Sequence, residues 1–177
     1  MKIVPIFAEW LYAIQYDGEE ENEYDRLLDL WMDISYLRSF AKTADIIHDT
    51  ASFVDQVAED AEDIESFMDC VADGEIGLSN FFKPLHNHEI GFRELSLQKG
   101  RPNRKSYLRL YAIEIAASPP MFLITGGAIK LVRTMQEDET LMKEKSKLNA
   151  VRQFLKENHV FDSDSFQDFK MEQDENE

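Results

Sequence analysis

The hydrophobic periodicity of the chain changes near residue 83, and this change restricts the fold more than any other feature. Over residues 24–41 and 50–72, apolar side chains recur at steps of three and four, the spacing of amphipathic helices. Over residues 90–98, 106–115 and 121–127, short apolar runs are separated by turn-forming residues, as is typical of strands. The sequence therefore predicts two helices followed by a three-stranded antiparallel meander, with the helices covering one face of the sheet.

Two further segments complete the predicted fold. Residues 3–16 are rich in aromatic and β-branched side chains and predict an N-terminal strand, with a break near Pro5. Residues 139–157 have helical spacing and predict a C-terminal helix. The fold class is thus α+β: a small antiparallel sheet (the N-terminal strand plus the meander) packed with two N-terminal helices and a C-terminal helix. We expect residues 1–160 to form a single domain and residues 161–177 to be an acidic C-terminal tail, of which the last seven residues, "MEQDENE", fray.

The composition indicates a soluble protein with a packed core. Hydrophobic residues make up 44% of the 177 residues and aromatic residues 11%, which argues against global disorder. A single cysteine, Cys70, excludes an internal disulfide framework, and we expect it to be a small core residue in a reducing compartment. No apolar run reaches the length of a membrane span, and the N-terminus lacks a small-residue cleavage site. We therefore expect a cytoplasmic protein without membrane association.

The charge is strongly segregated along the chain. The chain has 35 acidic and 19 basic residues, a net charge of −16. Residues 1–82 hold 4 basic and 20 acidic side chains, residues 83–160 hold 14 and 8, and residues 161–177 hold 1 and 7. A net acidic protein still binds a polyanion if its basic residues gather on one face. A basic middle segment between two acidic ones is therefore compatible with nucleic-acid binding.

A cluster of basic residues precedes and enters the second strand of the meander, and basic residues recur after the third. The candidate residues are Lys99, Arg101, Arg104, Lys105, Arg109, Lys130 and Arg133. In an antiparallel meander these positions can converge on one side of the sheet. Grouped Arg and Lys bind a phosphodiester and offset the negative charge that grows on it during cleavage. The alternative is a charged hairpin loop that only keeps a sheet edge soluble.

The other motifs are weak. His86 and His88 would share a face of an extended segment, but no matching ligands elsewhere make a metal site, so we interpret them as loop residues. The glycines of "ITGGAIK" lack the spacing of a phosphate loop and predict a turn. Nothing resembles the GxSxG motif of serine hydrolases.

Two stretches resemble the RelE/HigB group of bacterial toxins from type II toxin–antitoxin pairs. They are "FRELSLQKGRPNRKSYLRLYAIEI" and "MFLITGGAIKLVRTMQEDETLMKEKSKLNAVRQFL". The first is similar to the family's strand ending in Glu-Leu-Arg followed by a strand opening with Tyr-Arg. The second is similar to its apolar strand, small turn, Lys-containing segment and helix. The resemblance covers about residues 78–158, and the N-terminal part matches only in the order of its elements.

The resemblance implies a RelE-like fold and a ribonuclease that cuts mRNA, usually on the ribosome, with no metal or other cofactor. In the family the ribose 2′-hydroxyl attacks the adjacent phosphate, and basic side chains stabilise the developing charge. A partner antitoxin controls the activity, and here we expect it to be a helix-turn-helix protein. By position, Arg109 matches the strand arginine, Lys130 matches the lysine after the last strand, and Arg133 falls in the same segment. Lys99, Arg101, Arg104 and Lys105 would contact RNA. The family arginine of the preceding strand falls at Ser96, where the match fails, and His159 is the only residue near the C-terminus that resembles a general acid.

Two alternatives remain open. One is a catalytically silent RelE-like module whose acidic helices bind or regulate another protein. The other is an acidic mimic of nucleic acid that occupies a basic partner, which the net charge of residues 1–82 supports.

Overall fold

The structure is a computed structural model that describes residues 1–7, 10–44, 47–85, 95–131 and 139–175. In these residues the chain forms six strands, five α-helices and one short 3-10 turn. In chain order they are β1 (Lys2–Phe7), β2 (Leu11–Gln15), α1 (Glu23–Met32), α2 (Ile34–Thr43), α3 (Thr50–Ala72), the 3-10 turn (Leu78–Asn80), β3 (Phe82–Pro84), β4 (Leu95–Gly100), β5 (Leu108–Ile115), β6 (Met121–Ile129), α4 (Glu139–Glu157) and α5 (Ser163–Glu175). Within them, no helix combines the length and the apolar composition that a membrane crossing requires.

The sheet has six strands in the order β1-β2-β6-β5-β4-β3. The antiparallel pairing of the predicted meander is confirmed, because β4 pairs antiparallel with β5 and β5 antiparallel with β6. Of the strand predicted over 90–98, residues 90–94 lie outside the described residues. The prediction of a small, purely antiparallel sheet is wrong, because β2 pairs in parallel with β6 and the sheet is mixed. The N-terminal segment forms the antiparallel hairpin β1–β2 instead of one strand, and β3 adds a further strand beside β4. The α+β class stands.

The helical regions agree with the hydrophobic spacing except at one residue. Helix α3 covers Thr50–Ala72 and helix α4 covers Glu139–Glu157, as predicted. The helix expected over 24–41 is divided at Asp33, whose extended backbone (φ −76°, ψ 101°) separates α1 from α2. The Asp33 carboxylate accepts hydrogen bonds from the backbone N–H groups of Ser35 and Tyr36, at 2.8 and 3.1 Å. This N-cap stabilises the start of a second helix where an uninterrupted one was predicted.

Helices cover both faces of the sheet. Leu108, Leu110 and Ala112 of β5 pack in the core that contains α1, α2 and α3, which confirms the prediction that the N-terminal helices cover one face. Tyr111 and Ile113 point to the opposite face, where they share a core with α4 and α5. A strand buried on both sides is apolar almost throughout, and this accounts for the composition of β5 and β6.

The C-terminal segment is an ordered helix that closes the sheet edge. Phe166 of α5 is fully buried, with its ring centroid 4.8 Å from that of Tyr12. The Gln173 side chain accepts from the backbone N–H of Ile3 at 2.9 Å and donates to its carbonyl at 3.1 Å. These bonds satisfy backbone groups of β1, the edge strand. The expected fraying of residues 171–177 is therefore wrong for residues 171–175, and residues 176–177 lie outside the described residues.

The glycine pair predicted to form a turn lies inside β6 instead. A Cβ atom at Gly127 would lie 2.8 Å from both the Arg109 carbonyl oxygen and Cη2 of Trp31. A Cβ atom at Gly126 would lie 2.1 Å from Oε2 of Glu144. The absence of side chains at these two positions therefore lets α1 approach β6 closely, and leaves room for a carboxylate of α4 beside the strand.

We predict that Gly127→Ala lowers the free energy of unfolding by about 1–3 kcal/mol, the usual cost of overpacking a close contact. Chemical denaturation of the purified chain measures this change. Gly77→Ala is the matched control, because a Cβ atom at Gly77 meets nothing within 4 Å. Equal effects of the two substitutions would contradict the close approach of Trp31 to β6.

Candidate nucleic-acid interface

The pairing of strands β3 to β6 places basic residues on one face at one end of the sheet. Lys99 lies opposite both Lys83 and Tyr111. Arg109 lies opposite Ala128, on the same face as Tyr111 two residues along β5. The same alternation places the residue two positions beyond Ala128, Lys130, on this face of the sheet.

These residues line one cavity of about 320 Å³. We call this cavity the basic pocket, and its described lining residues are Phe81, Lys83, Lys99, Arg101, Arg109 and Lys130. Five of the six side chains are cationic, and none of the six is a carboxylate. The structure thus brings Arg109 and Lys130 together with two of the loop and strand residues that the sequence indicated.

The guanidinium group of Arg109 is held by backbone carbonyls. Its Nη1 donates to the carbonyl oxygens of Ser106 at 2.7 Å and Leu108 at 2.5 Å. Burial, followed by the neighbouring charge of Arg101, lowers the pKa of Arg109. An arginine stays protonated in proteins, so the group remains a fixed cation. Among the described residues, its other N–H groups have no hydrogen-bond partner.

The remaining candidate residues are distributed unevenly. Lys99 and Arg101 are exposed on the rim of the basic pocket, and Arg101 Nη1 donates to the carbonyl of Arg104 at 3.4 Å. Arg104 and Lys105 are exposed in the β4–β5 loop and do not line the pocket. Arg133 lies outside the described residues, as do His86 and His88.

Sequence reasoning missed Lys83 and Phe81. Lys83 belongs to a strand of three residues, too short to show alternation, and its Nζ donates to the Ser79 carbonyl at 2.6 Å. The Phe81 ring packs against Gly100, where a Cβ atom would lie 2.0 Å from it. The only signal in the sequence was a lone lysine in "FFKPL", and a single lysine is equally typical of an ordinary surface position.

The described lining of the basic pocket contains no histidine, tyrosine or carboxylate that would exchange a proton with a substrate. His159 is exposed beyond the end of α4 and does not line the pocket. Among the described residues, no group of three or more His, Cys, Asp or Glu side chains is placed to hold a metal ion. The five cations of the described lining can bind a negatively charged group and stabilise its charge.

The acidic parts of the chain lie away from the basic pocket. Helix α3 packs in the core on the opposite face of the sheet, and its residues include no Lys or Arg. Helix α5 lies on the same face as the pocket, but it contacts β1 and β2 at the other edge of the sheet. The exposed carboxylates of these two helices are thus separated from the basic strand residues by the sheet or by its width, whereas the buried Asp60 of α3 contributes negative charge near Arg109.

A second polar cluster joins α1 to α4 near the point where the pairing of β2 with β6 ends, at Ala13 and Ile124. Glu23 is 3% exposed and accepts two hydrogen bonds from Arg26, at 2.8 and 3.0 Å. Lys147 Nζ lies 3.5 Å from Glu23 Oε2 and 3.1 Å from Oε1 of Glu144. Two carboxylates are therefore balanced by two cations in a nearly buried site.

Glu144 is the least satisfied member of this cluster. It is 7% exposed, and its Oε2 is buried without a hydrogen-bond partner among the described residues. Burial raises the pKa of Glu144, and the adjacent Lys147 opposes this shift only in part. The protonated form is therefore favoured by folding. This cluster was invisible in the sequence because its carboxylates resemble the many exposed ones.

Comparison with known proteins finds no family model, no curated protein and no solved structure that matches the chain. The resemblance to RelE/HigB toxins therefore stays a prediction from the sequence.

We predict that Glu144→Gln becomes more favourable to stability, relative to the original chain, as the pH rises from the ordinary glutamate pKa of about 4.3 through the raised folded-state pKa. Because the folded-state pKa of Glu144 is raised, the folded chain holds a proton that the unfolded chain has released, and stability falls as pH rises through this window. A glutamine does not titrate and escapes that loss. Melting temperatures of both chains across this pH range measure the trend, with Glu157→Gln, an exposed residue of the same helix, as control. A difference that is constant with pH would contradict it.

Proposed function

We propose that the protein is a toxin-type ribonuclease that binds the phosphodiester backbone of mRNA in the basic pocket and cleaves it, under the control of a partner antitoxin. The observation that carries this proposal is the gathering of five cationic side chains around one cavity in a chain of net charge −16. Such a cluster destabilises the folded chain by mutual repulsion, and a bound polyanion removes that repulsion. The resemblance to RelE/HigB toxins supports RNA as the polyanion and the ribosome as the place of action.

Arg109 and Lys130 have the central roles in the proposed reaction. The 2′-hydroxyl oxygen attacks the adjacent phosphorus, the bond from phosphorus to the 5′-oxygen breaks, and a 2′,3′-cyclic phosphate and a 5′-hydroxyl result. Negative charge accumulates on the phosphate oxygens during this step, and a preorganised guanidinium stabilises it. Arg109 is preorganised by its two carbonyl contacts. The proton released by the 2′-hydroxyl passes to water, and the leaving oxygen takes one from water.

The other cations bind the strand on either side of the scissile phosphate. Lys83 and Lys99 lie directly opposite one another on β3 and β4, and Arg101 follows the end of β4. Arg104 and Lys105 project from the adjacent loop and extend the positive surface. Contacts of this kind to phosphates supply affinity without reading the base sequence.

A second candidate is a catalytically silent RelE-like module that binds a basic protein. Its support is the outer face of α3, where all exposed charges are negative. The exposed carboxylates there belong to Asp55, Glu59, Glu62, Asp63, Glu65 and Asp69. The lack of a histidine, tyrosine or carboxylate in the described lining of the basic pocket also favours this candidate.

We predict that Arg109→Ala and Lys130→Ala each reduce RNA cleavage by about 10²–10³-fold, the usual cost of removing one group that stabilises transition-state charge. Both variants should remain folded and should no longer inhibit bacterial growth when expressed without an antitoxin. Cleavage of ribosome-bound mRNA and growth after induction measure the effect.

The matched control is Lys42→Ala, which removes the same charge from an exposed position on α2, a helix that covers the opposite face of the sheet. It should cleave RNA at the original rate. An original chain that leaves ribosome-bound mRNA intact and does not slow growth would overturn the ribonuclease and favour the binding module.

A further inference from the structure

Asp60 differs from the other carboxylates of α3. Among the described carboxylate residues it alone has no exposed surface, whereas the neighbouring Glu59, Glu62 and Asp63 are exposed. A buried carboxylate is costly unless hydrogen bonds compensate for the lost hydration. Its partners therefore indicate what it stabilises.

The partners of Asp60 lie mainly in the loop between β4 and β5. Oδ2 accepts from the backbone N–H of Tyr107 at 3.0 Å. Oδ1 accepts from Asn103 Nδ2 at 3.3 Å and from Gln56 Nε2, on its own helix, at 3.1 Å. Asp60 thus holds the loop at two points four residues apart, from the face of the sheet opposite the basic pocket.

One peptide group connects Asp60 to Arg109. The N–H of Tyr107 that donates to Asp60 and the carbonyl of Ser106 belong to the same planar peptide unit. That carbonyl accepts from Arg109 Nη1 at 2.7 Å. The carboxylate and the guanidinium therefore bind opposite ends of a single peptide dipole, and each strengthens the bond that the other makes to it.

Tyr107 also connects Asp60 to Lys130. The Tyr107 carbonyl accepts a hydrogen bond from the backbone N–H of Lys130 at 2.7 Å. The Tyr107 backbone is thus bonded on one side to Asp60 and on the other to the residue that follows β6. Both central residues of the basic pocket contact the short segment that Asp60 holds.

We infer that Asp60 is a positioning residue for the basic pocket, which orients the Arg109 guanidinium through the Ser106–Tyr107 peptide group. The Tyr107 carbonyl, which belongs to the next peptide group, accepts from the Lys130 backbone. This inference rests on the proposed function only in taking RNA as the ligand of the pocket. The contacts themselves concern the orientation of Arg109 and can be tested without RNA.

Charge and positioning predict opposite effects of removing this carboxylate. Asp60 contributes negative charge near Arg109, so its neutralisation should strengthen the binding of a polyanion if charge alone matters. If Asp60 positions Arg109, its neutralisation should weaken binding in spite of the gain in positive potential. The sign of the change separates the two roles.

The experiment compares Asp60→Asn with Glu59→Gln, which removes the same charge from the exposed adjacent position on α3. The ligand is a fluorescent single-stranded oligouridylate, and thermal unfolding establishes that each variant is folded. We expect Asp60→Asn to weaken binding by about tenfold, which corresponds to about 1.4 kcal/mol. We expect Glu59→Gln to bind as well as the original chain or slightly better. A folded Asp60→Asn variant that binds as tightly as the original chain would overturn the inference.

A double-mutant cycle with Arg109→Ala distinguishes positioning from a general loss of structure. If Asp60 acts through Arg109, Asp60→Asn should cause little further weakening in the Arg109→Ala background. An equal weakening in both backgrounds would contradict the inference.

If Asp60→Asn does not fold, Asn103→Ala is the second variant, because it removes one contact to Asp60 from an exposed loop residue. We expect Asn103→Ala to lower the affinity for the oligouridylate about threefold, and we expect this loss to depend on Arg109. A folded Asn103→Ala variant with the same affinity as the original chain would then overturn the inference.

Nitrogen-15 NMR of the arginine side chains tests the inference independently of RNA. The Arg109 signal is assigned by its absence in Arg109→Ala. In the original chain the guanidinium N–H protons of Arg109 should exchange slowly with water, and in Asp60→Asn they should exchange as fast as those of free arginine. An unchanged Arg109 signal would overturn the positioning role. If Asp60→Asn changes the Arg109 signal in this way but the original chain binds no RNA, the proposed function is overturned and the positioning role stands.

Discussion

The antiparallel pairing of β5 with β6 is the constraint on which the other features of the structure depend. It places Arg109 opposite Ala128 and brings the residue that follows β6, Lys130, to the same face. The pair is buried on both sides, so its hydrogen bonds form in an environment from which water is excluded. Gly126 and Gly127 let a carboxylate of α4 and the ring of Trp31 approach β6 from the two faces. The core and the basic pocket therefore share one ladder of hydrogen bonds.

The distribution of charge follows from this arrangement. The helices over the first part of the chain cover one face, so their acidic side chains point away from the strand residues that line the basic pocket on the other. At physiological ionic strength, charges more than about 8 Å apart through solvent are largely screened. A local cluster of cations can thus act on a polyanion although the whole chain has a net charge of −16. The buried carboxylates are exceptions: Glu23 pairs with Lys147 of α4, and Asp60 accepts from the backbone N–H of Tyr107.

The elements that could be predicted from the sequence are those whose apolar spacing is long and regular. Helix α3, helix α4 and the meander met this condition. Strand alternation made a convergence of Arg109 with Lys130 possible, but the sequence alone could not establish it. The division at Asp33 could not be predicted because an exposed aspartate and an N-cap look alike in sequence. The glycine pair of β6 has the sequence pattern of a turn. Its role in the strand becomes clear only when the neighbouring side chains, Glu144 on one face and Trp31 on the other, are known. Asp60 could not be distinguished from its exposed neighbours, because burial depends on the loop that packs over it.

The dependence of RNA affinity on salt tests the central claim most directly, because it counts the phosphates that the basic pocket engages. For a single strand, each phosphate contact contributes about 0.7 to the slope of log affinity against log salt concentration. Contacts by three to five of the pocket cations predict a slope between about −2 and −3.5 for oligouridylate with the original chain. Measurable binding at low salt with this slope would support a segregated basic surface on an acidic protein. No binding at low salt, or an affinity that rises as salt is added, would show that the net negative charge repels RNA and would contradict the account.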